Sequence, residues 1–370
     1  MLAKFCVTNF KAFSSRYEFD LGKTNGYEFN KECVKNNIVN KALIYGHNGV
    51  GKSNLGFAIF ELVSHLTDKQ CSSALYRNFL NATCDSKTAD FEYTFIFDDS
   101  KLQYNYSKSD PETLIKEEII INGDLFAKID RDISSVSEIL AEGAESLKKD
   151  LGDSKVSIVS YIKNNTVLED NKTNQVFIKF LDFVNGMLFF RSLNSNQYIG
   201  LEQGSTKISA DIIDKDKVAD FEDFLNASGI KSKLCVIDNE EGKELAFDFG
   251  RKKIPFYHIA SQGTRSLSLF YFWYLRLIKD SRVKFLFVDE YDAFYHHDLA
   301  SSVITKLKEV NAQTIITTHN TSVMSNDLLR PDCYYLMHEK SIDSLVNSTQ
   351  KELREAHNIE KMYKAGAFDE

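Results

Sequence analysis

The octapeptide Gly46-His47-Asn48-Gly49-Val50-Gly51-Lys52-Ser53 constrains this chain more than any other stretch. It comes after the apolar run Ala42-Leu43-Ile44-Tyr45 and precedes Leu55, Ile59, Leu62 and Leu66 at helical spacing. A strand, a glycine-rich loop and a helix in that order let consecutive backbone N–H groups point inward and cradle an anion. The helix N-terminus adds a favourable field for negative charge. In such a loop Lys52 reaches the β and γ phosphates of a nucleotide and Ser53 ligates Mg²⁺. The stretch requires an α/β architecture and predicts ATP and Mg²⁺ as ligands, with Gly46, Asn48, Gly49, Gly51, Lys52 and Ser53 as contacts.

Two more strand ends carry groups suited to the same chemistry. Phe285-Leu286-Phe287-Val288 reads as a strand buried on both faces, and it delivers Asp289 and Glu290 at its carboxyl end. Ligand crevices open at that end of the strands in open α/β sheets. Asp289 is suited to hold Mg²⁺, directly or through water, and Glu290 to polarise an attacking water. Without the phosphate loop, the pair would read as solvated acids. The run Thr314–Ile316 leads to Thr317-Thr318-His319, where a histidine can sense a γ-phosphate. Ser261-Gln262-Gly263 opens an apolar helix and offers a hydroxyl and N–H groups to a phosphate. By composition alone it is a capped helix start.

Composition excludes more than it selects. The net charge of −8 argues against broad non-specific nucleic-acid binding. Arg251-Lys252-Lys253 reads as a solvated turn, with a contact to nucleic acid or an acidic partner as the alternative. No run of about 18 apolar residues occurs, and the N-terminus lacks a signal-peptide core. A cytoplasmic chain that crosses no membrane is expected. Six cysteines without a CxxC pair argue for reduced thiols rather than zinc or disulfides. His296 and His297 lack metal-ligand spacing and read as structural or interface residues.

Aromatics at 12% favour extensive sheet. Phe5 and Val7, then Phe10, Phe13, Tyr17 and Phe19, alternate as one or two strands. Phe91, Tyr93, Phe95 and Phe97, then Leu102, Tyr104 and Tyr106, then Ile119 and Ile121, predict an antiparallel meander. Residues 124–230 read as mostly helical, on three stripes: Ile133, Val136, Leu140, Leu147, Leu151; Phe177, Phe180, Leu181, Val184, Leu188; and Val218, Phe221, Phe224, Leu225. Four segments are therefore expected: 1–123 with the phosphate loop and meander, 124–230 as an inserted helical lobe, 231–338 with the acids and histidine, and 339–370 as a tail with a helix over Leu353–Ala365.

The order of these motifs resembles the ABC-type ATPase heads. Within them it resembles the SMC/RecF/OLD branch, most of all the stand-alone ATPases of bacterial abortive-infection and phage-defence operons associated with Toprim nucleases. Asp289-Glu290-Tyr291-Asp292-Ala293-Phe294-Tyr295-His296, Thr317-Thr318-His319-Asn320-Thr321, Leu353-Arg354-Glu355-Ala356-His357-Asn358 and Asn9-Phe10-Lys11-Ala12-Phe13 carry the likeness. It implies an α/β head with a mixed central sheet, a flanking antiparallel sheet and an inserted helical lobe. It implies Mg²⁺-dependent ATP hydrolysis with Glu290 and His319 as catalytic residues and Ser53 and Asp289 at the metal. It also implies homodimers, or a ring of dimers, in which Ser261 and Gly263 of one head meet the γ-phosphate held by Lys52 of the other, with Asp292 near the seam. The usual two-glycine signature is reduced here to Ser261-Gln262-Gly263. The glutamine that links Mg²⁺ to the lobe has only Gln70 and Gln103 as candidates.

The sequence after His319 is too short for a Toprim nuclease, so a toxic effector is expected on a separate chain, Toprim-like or HNH, released by a phage protein. A RecF- or SMC-like DNA-repair or DNA-clamp ATPase is the alternative, with DNA binding left open. A small-molecule P-loop kinase fits less well, given the long insertion and the Ser261–His319 series, and a transporter ATPase fits less well without a coupling glutamine.

Overall fold

A computed structural model describes residues 1–67, 73–191, 197–201, 208–239, 242–279, 281–292 and 297–368. The chain opens with β1 (Leu2–Thr8) and β2 (Tyr17–Asp20). The short ladder of β3 (Val34–Lys35) and β4 (Ile38–Val39) leads to β5 (Lys41–Tyr45), the phosphate loop and α1 (Lys52–Leu66). Next come β6 (Ala89–Phe97), β7 (Ser100–Asp110), β8 (Thr113–Ile121), β9 (Asp124–Asp130) and β10 (Glu138–Ile139). Helices α2 (Ile158–Asn165) and α3 (Lys172–Asn185) precede β11 (Met187–Arg191), β12 (Gln197–Gly200), α4 (Ile208–Asp214) and α5 (Val218–Ala227). The small sheet β13 (Leu234–Asn239), β14 (Gly242–Asp248) and β15 (Lys253–Pro255) then runs into α6 (Phe256–Ile259) and α7 (Gln262–Lys279). The chain ends through β16 (Phe285–Asp289), α8 (His297–Lys308), β17 (Gln313–Thr318), β18 (Tyr334–Met337), β19 (Ile342–Ser344) and α9 (Ile359–Lys364).

The central sheet has the order β12-β11-β16-β17-β5-β18-β19. Its inner strands β11, β16, β17, β5 and β18 are parallel, and β12 and β19 pair antiparallel at the edges. Every residue of β5, β16 and β17 is buried, as a parallel sheet covered on both faces requires. The two faces are set by the alternation of side chains. Phe189 of β11 meets Phe57 and Phe60 of α1, whereas its neighbour Phe190 meets Trp273 of α7. Phe285 of β16 likewise lies on the α1 side, against Phe60 and Phe183.

The second sheet, β10-β9-β8-β7-β6-β1-β2, is antiparallel throughout. Its strictly alternating strands turn one face toward α1 and α3, with Phe95 against Phe180 and Phe183 and the Tyr93 hydroxyl donating to the Ala58 carbonyl at 2.9 Å. The two helices are thus packed between two sheets. Gly56 sets the depth of α1: a Cβ there would come within 2.8 Å of Phe189 and 2.9 Å of Phe287.

The expected helical lobe over 124–230 is corrected in three places. Residues 124–130 extend the meander as β9. The stripe from Ile133 to Leu151 is not a helix: Ser137 N donates to Lys149 O and Leu151 N to Ser135 O, closing a loop on itself, and Ile133 is 82% exposed. Gly143 and Gly152 at positive φ interrupt any helix there. Leu188 belongs to β11 inside the central sheet, so the segment threads the head instead of standing apart from it. Helices α3 and α5 form where the other stripes place them. The tail helix is confined to Ile359–Lys364, where Asn358 caps it, and Tyr363 packs on Tyr45 beside the phosphate loop. No helix of the described residues is long and apolar enough to cross a membrane.

Lys41 at the start of β5 is 3% exposed and donates to Val310 O, Ala312 O and Thr314 Oγ1. Burial pushes its ammonium down from 10.5 to about 7. Between those values the unfolded chain binds the proton and the folded chain does not, so stability rises with pH across that window, by at most about 1.4 kcal/mol per pH unit. Urea unfolding at pH 7.5 and 9 is expected to give wild type this gain and Lys41→Met a smaller one. Equal slopes would show that Lys41 keeps its proton in the folded chain.

Candidate nucleotide-binding site

The strands β16, β17 and β5 end level with one another: Val288 pairs with Ile316, and Thr318 with Tyr45. The segments that leave the three strands therefore meet at one edge. After β5 the loop turns through Gly49 and Gly51, at φ of 84° and 107°, a region that disfavours any residue with a Cβ. Gly51 stands at the N-cap of α1, where no side chain caps the helix, and the first N–H groups of α1 are left to an anion.

Lys52 is 4% exposed. Its ammonium donates to Gly46 O at 2.8 Å, to His47 O at 3.1 Å and to His319 Nδ1 at 3.1 Å. An ammonium can only donate, so Nδ1 accepts and Nε2 carries the proton that bonds Glu290 Oε1 at 2.9 Å. Burial lowers the pKa of Lys52, opposed by the carboxylates of Glu290, Asp289 and Asp292.

Asp289 accepts from Ser53 Oγ at 2.6 Å and from Thr317 Oγ1 at 2.8 Å. Desolvation pushes its carboxyl upward, the bonds from Ser53 and Thr317 oppose this, Glu290 adds to the rise, and Arg191 lowers it. The next residue, Glu290, sits in left-handed backbone at φ 47°, which costs roughly 1–2 kcal/mol for an L-residue. Its N–H donates to Thr317 Oγ1 at 2.8 Å, which holds the bend. Asp292 is buried and accepts from Thr318 Oγ1 at 2.6 Å. Burial raises its pKa, with the Thr318 bond opposing.

Lys52, Ser53, Asp289, Glu290 and His319 thus form one connected set. Ser261 and Gly263 stand outside it: Ser261 Oγ accepts from Thr264 N and bonds Thr264 Oγ1 at the start of α7. Gln103 lies within the antiparallel sheet, opposite Thr94 and Ile120. Gln70, Cys71 and His296 fall outside the described residues, and Arg251-Lys252-Lys253 forms an exposed turn running into β15. Sequence reasoning misses two contributors. Thr317 reads in sequence only as the approach to His319, although two threonines after an apolar run offer hydroxyls at the strand end. Arg191 directly follows a helical stripe that hides its strand, yet it is the register partner of Asp289.

The donor set fits Mg²⁺ with a nucleotide. Ser53 and Asp289 bring two oxygens together, and Mg²⁺ at phosphates takes only one or two protein carboxylates. Among the described residues no group of three or more His, Cys, Asp or Glu could hold a metal by itself.

Residues 41–325 match the family described as AAA domain, putative AbiEii toxin, Type IV TA system. The chain belongs to this family. Its fold is α/β, with the phosphate loop, the acids and the histidine at the ends of three adjacent parallel strands of the central sheet. Solved structures similar to it include an SMC head bound to the C-winged helix domain of ScpA, at 16% identity and TM-score 0.48, covering 94% of this chain and 98% of that one. The SMC head domain from Thermotoga maritima is 14% identical at TM-score 0.45, covering 93% and 98%. An Smc head with an extended coiled coil, bound to the C-terminal domain of ScpA derived from Pyrococcus furiosus, is 15% identical at TM-score 0.43, covering 92% and 95%. No curated protein matches the sequence.

Thr317→Val keeps the shape of the side chain and removes the hydroxyl shared by Asp289 and the Glu290 amide. Leaving a buried carboxylate short of a donor should destabilise the chain by about 2 kcal/mol, read from urea unfolding. Thr317→Ser should lose less than half of that. Equal stability of Thr317→Val and wild type would remove Thr317 from the site's support.

Proposed function

We propose that this AAA-family chain binds and hydrolyses ATP as the sensor and scaffold subunit of an anti-phage, abortive-infection system. Two heads close around nucleotide, and the nucleotide state controls a separate nuclease that a phage protein triggers. The observation that carries the reading is the unbroken path of contacts from Ser53 through Asp289, Thr317 and Glu290 to His319 and Lys52. Phosphate-binding, metal-holding and water-positioning groups lie within hydrogen-bond reach of one another at the edge of one sheet. The family description, which names a toxin of a type IV toxin–antitoxin system, supports the defence setting.

In this reading Lys52 and the N–H groups of the loop from Gly46 through Asn48, Gly49 and Gly51 bind the β and γ phosphates. Ser53 and Asp289 hold Mg²⁺, which neutralises charge developing on the phosphates. Glu290 orients the attacking water, and His319, already bonded to both Glu290 and Lys52, reads the γ-phosphate. Ser261 and Gly263 serve a nucleotide on a second copy. Among the described residues the side-chain bonds of Ser261 stay within its own helix start, which agrees with a role across a pair of heads. ATP turnover alone harms neither phage nor host. It redistributes assembly states that bind nucleotide unequally, and the effector supplies the damage.

Lys52→Ala is expected to abolish ATP binding in calorimetry. Glu290→Gln should still bind, while phosphate release falls by about a hundredfold or more; unchanged turnover would strip Glu290 of its water-positioning role. Held in saturating ATP, Glu290→Gln should scatter light as a dimer or larger, and a monomer would count against paired heads. Cells carrying the chain with its operon neighbour should resist phage, and protection that survives Lys52→Ala would sink the ATP switch.

A further inference from the structure

Arg191 ends β11 as the register partner of Asp289, which ends β16 in the neighbouring parallel strand. Alternation fixes which way it faces. Phe189, two residues earlier, lies against α1, and Phe190 lies against α7. Arg191 therefore faces α1, the side on which Asp289 accepts the Ser53 hydroxyl. Its guanidinium lies 4.8 Å from the ring centroid of Phe57, and Phe57 is one helical turn beyond Ser53 on the same face of α1. A permanent positive charge is thus held one strand from Asp289 and one turn from Ser53.

A second cation shares the ring. Lys11 Nζ lies 5.6 Å from the centroid of Phe57, and burial, then Arg191, lowers its pKa. Its loop takes left-handed backbone at Asn9 and Lys11 and abuts the phosphate loop, since a Cβ on Gly51 would lie 3.5 Å from Ala12 and 3.7 Å from Phe13. Two like charges gathered beside a phosphate cradle favour a ligand with several negative charges. Lys11 Nζ also donates to Leu75 O and Arg77 O, which ties it to the segment that follows α1. Arg191 is the cation aligned with the metal-side residues. A guanidinium presents a planar fork that matches phosphate oxygens, and the Phe57 ring fixes the plane of that fork.

We propose that Arg191 is a phosphate-contacting residue of this site, whose guanidinium engages the terminal phosphate of a nucleoside triphosphate on the phosphate loop and makes the site favour triphosphate over diphosphate. The assignment rests on the nucleotide-binding reading and adds to it a residue and a selectivity.

The test is equilibrium binding of ATP and of ADP, each with Mg²⁺, by isothermal titration calorimetry on the whole chain, with thermal unfolding of each variant alongside. Arg191→Gln should weaken ATP by about tenfold or more, the loss of a charge-assisted bond, and ADP by less than about twofold. Arg191→Lys, which keeps the charge without the fork, and Phe57→Leu, which frees the guanidinium, should give smaller losses confined to ATP. Equal weakening of ATP and ADP, or unchanged ATP affinity, overturns the proposal. Should Arg191→Gln not fold, Arg191→Lys and Phe57→Leu decide by the same criterion. A wild-type chain that binds neither nucleotide overturns the nucleotide-binding reading itself, an outcome distinct from wild-type binding that Arg191→Gln leaves untouched.

Discussion

The carboxylate of Asp289 ties the molecule together. It is nearly buried, and it takes one hydrogen bond from Ser53 on α1 and one from Thr317 on β17 while standing at the end of β16. A carboxylate removed from water is stable only when such donors surround it. The pairing also fixes position: α1 must lie deep enough on the sheet for Ser53 to reach the acid. Gly56, three residues further along the helix, permits that depth, because any larger side chain would drive α1 off Phe189 and Phe287.

The opposite face of α1 is fastened by a second buried polar cluster. Glu61 accepts from Lys108 at 2.5 Å and from the Tyr106 hydroxyl, all inside the packing between α1 and the antiparallel sheet. Breaking one partner of such a pair costs about 3–5 kcal/mol, whereas keeping it adds little net stability. Its effect is therefore to specify how the helix seats. Further along, Glu117 accepts from Tyr104, Ser157 and the Ile158 amide, joining β7 and β8 to the start of α2.

Much of this is legible in the sequence. The phosphate loop announces itself because only glycine tolerates its backbone angles, β16 because four consecutive apolar residues suit a strand with no exposed face, and β17 because Ile315-Ile316 stand among β-branched threonines. The meander is equally plain, since one solvated face imposes strict alternation from Phe91 to Phe97. Reading fails where spacing is matched by accident. Ile133, Val136 and Leu140 recur at helical intervals, yet glycines and a closing pair of backbone bonds make a loop, and much of their apolar surface stays in water. Met187–Arg191 is hidden for another reason: five residues directly after a helix continue its apolar stripe, and only the partner strand β16 makes them a strand. Arg191 is hidden with them. Glu61 and Lys108 lie far apart in sequence and carry no local signal of their pairing.

The place of β5 in the sheet has a consequence for synthesis. It lies between β17 and β18, so Lys41 pairs with Thr314 and Leu43 with Tyr334. Within the meander, β6 to β9 pair in sequence order and can form as they leave the ribosome. The phosphate loop, made earlier, has no sheet beneath it until residues 313–337 are translated. Contacts this distant in sequence form late, after the loop entropy between them has been overcome. A nascent chain halted before β17 would carry the whole glycine-rich motif and yet have no site, and nucleotide affinity would arrive in one step with closure of the sheet.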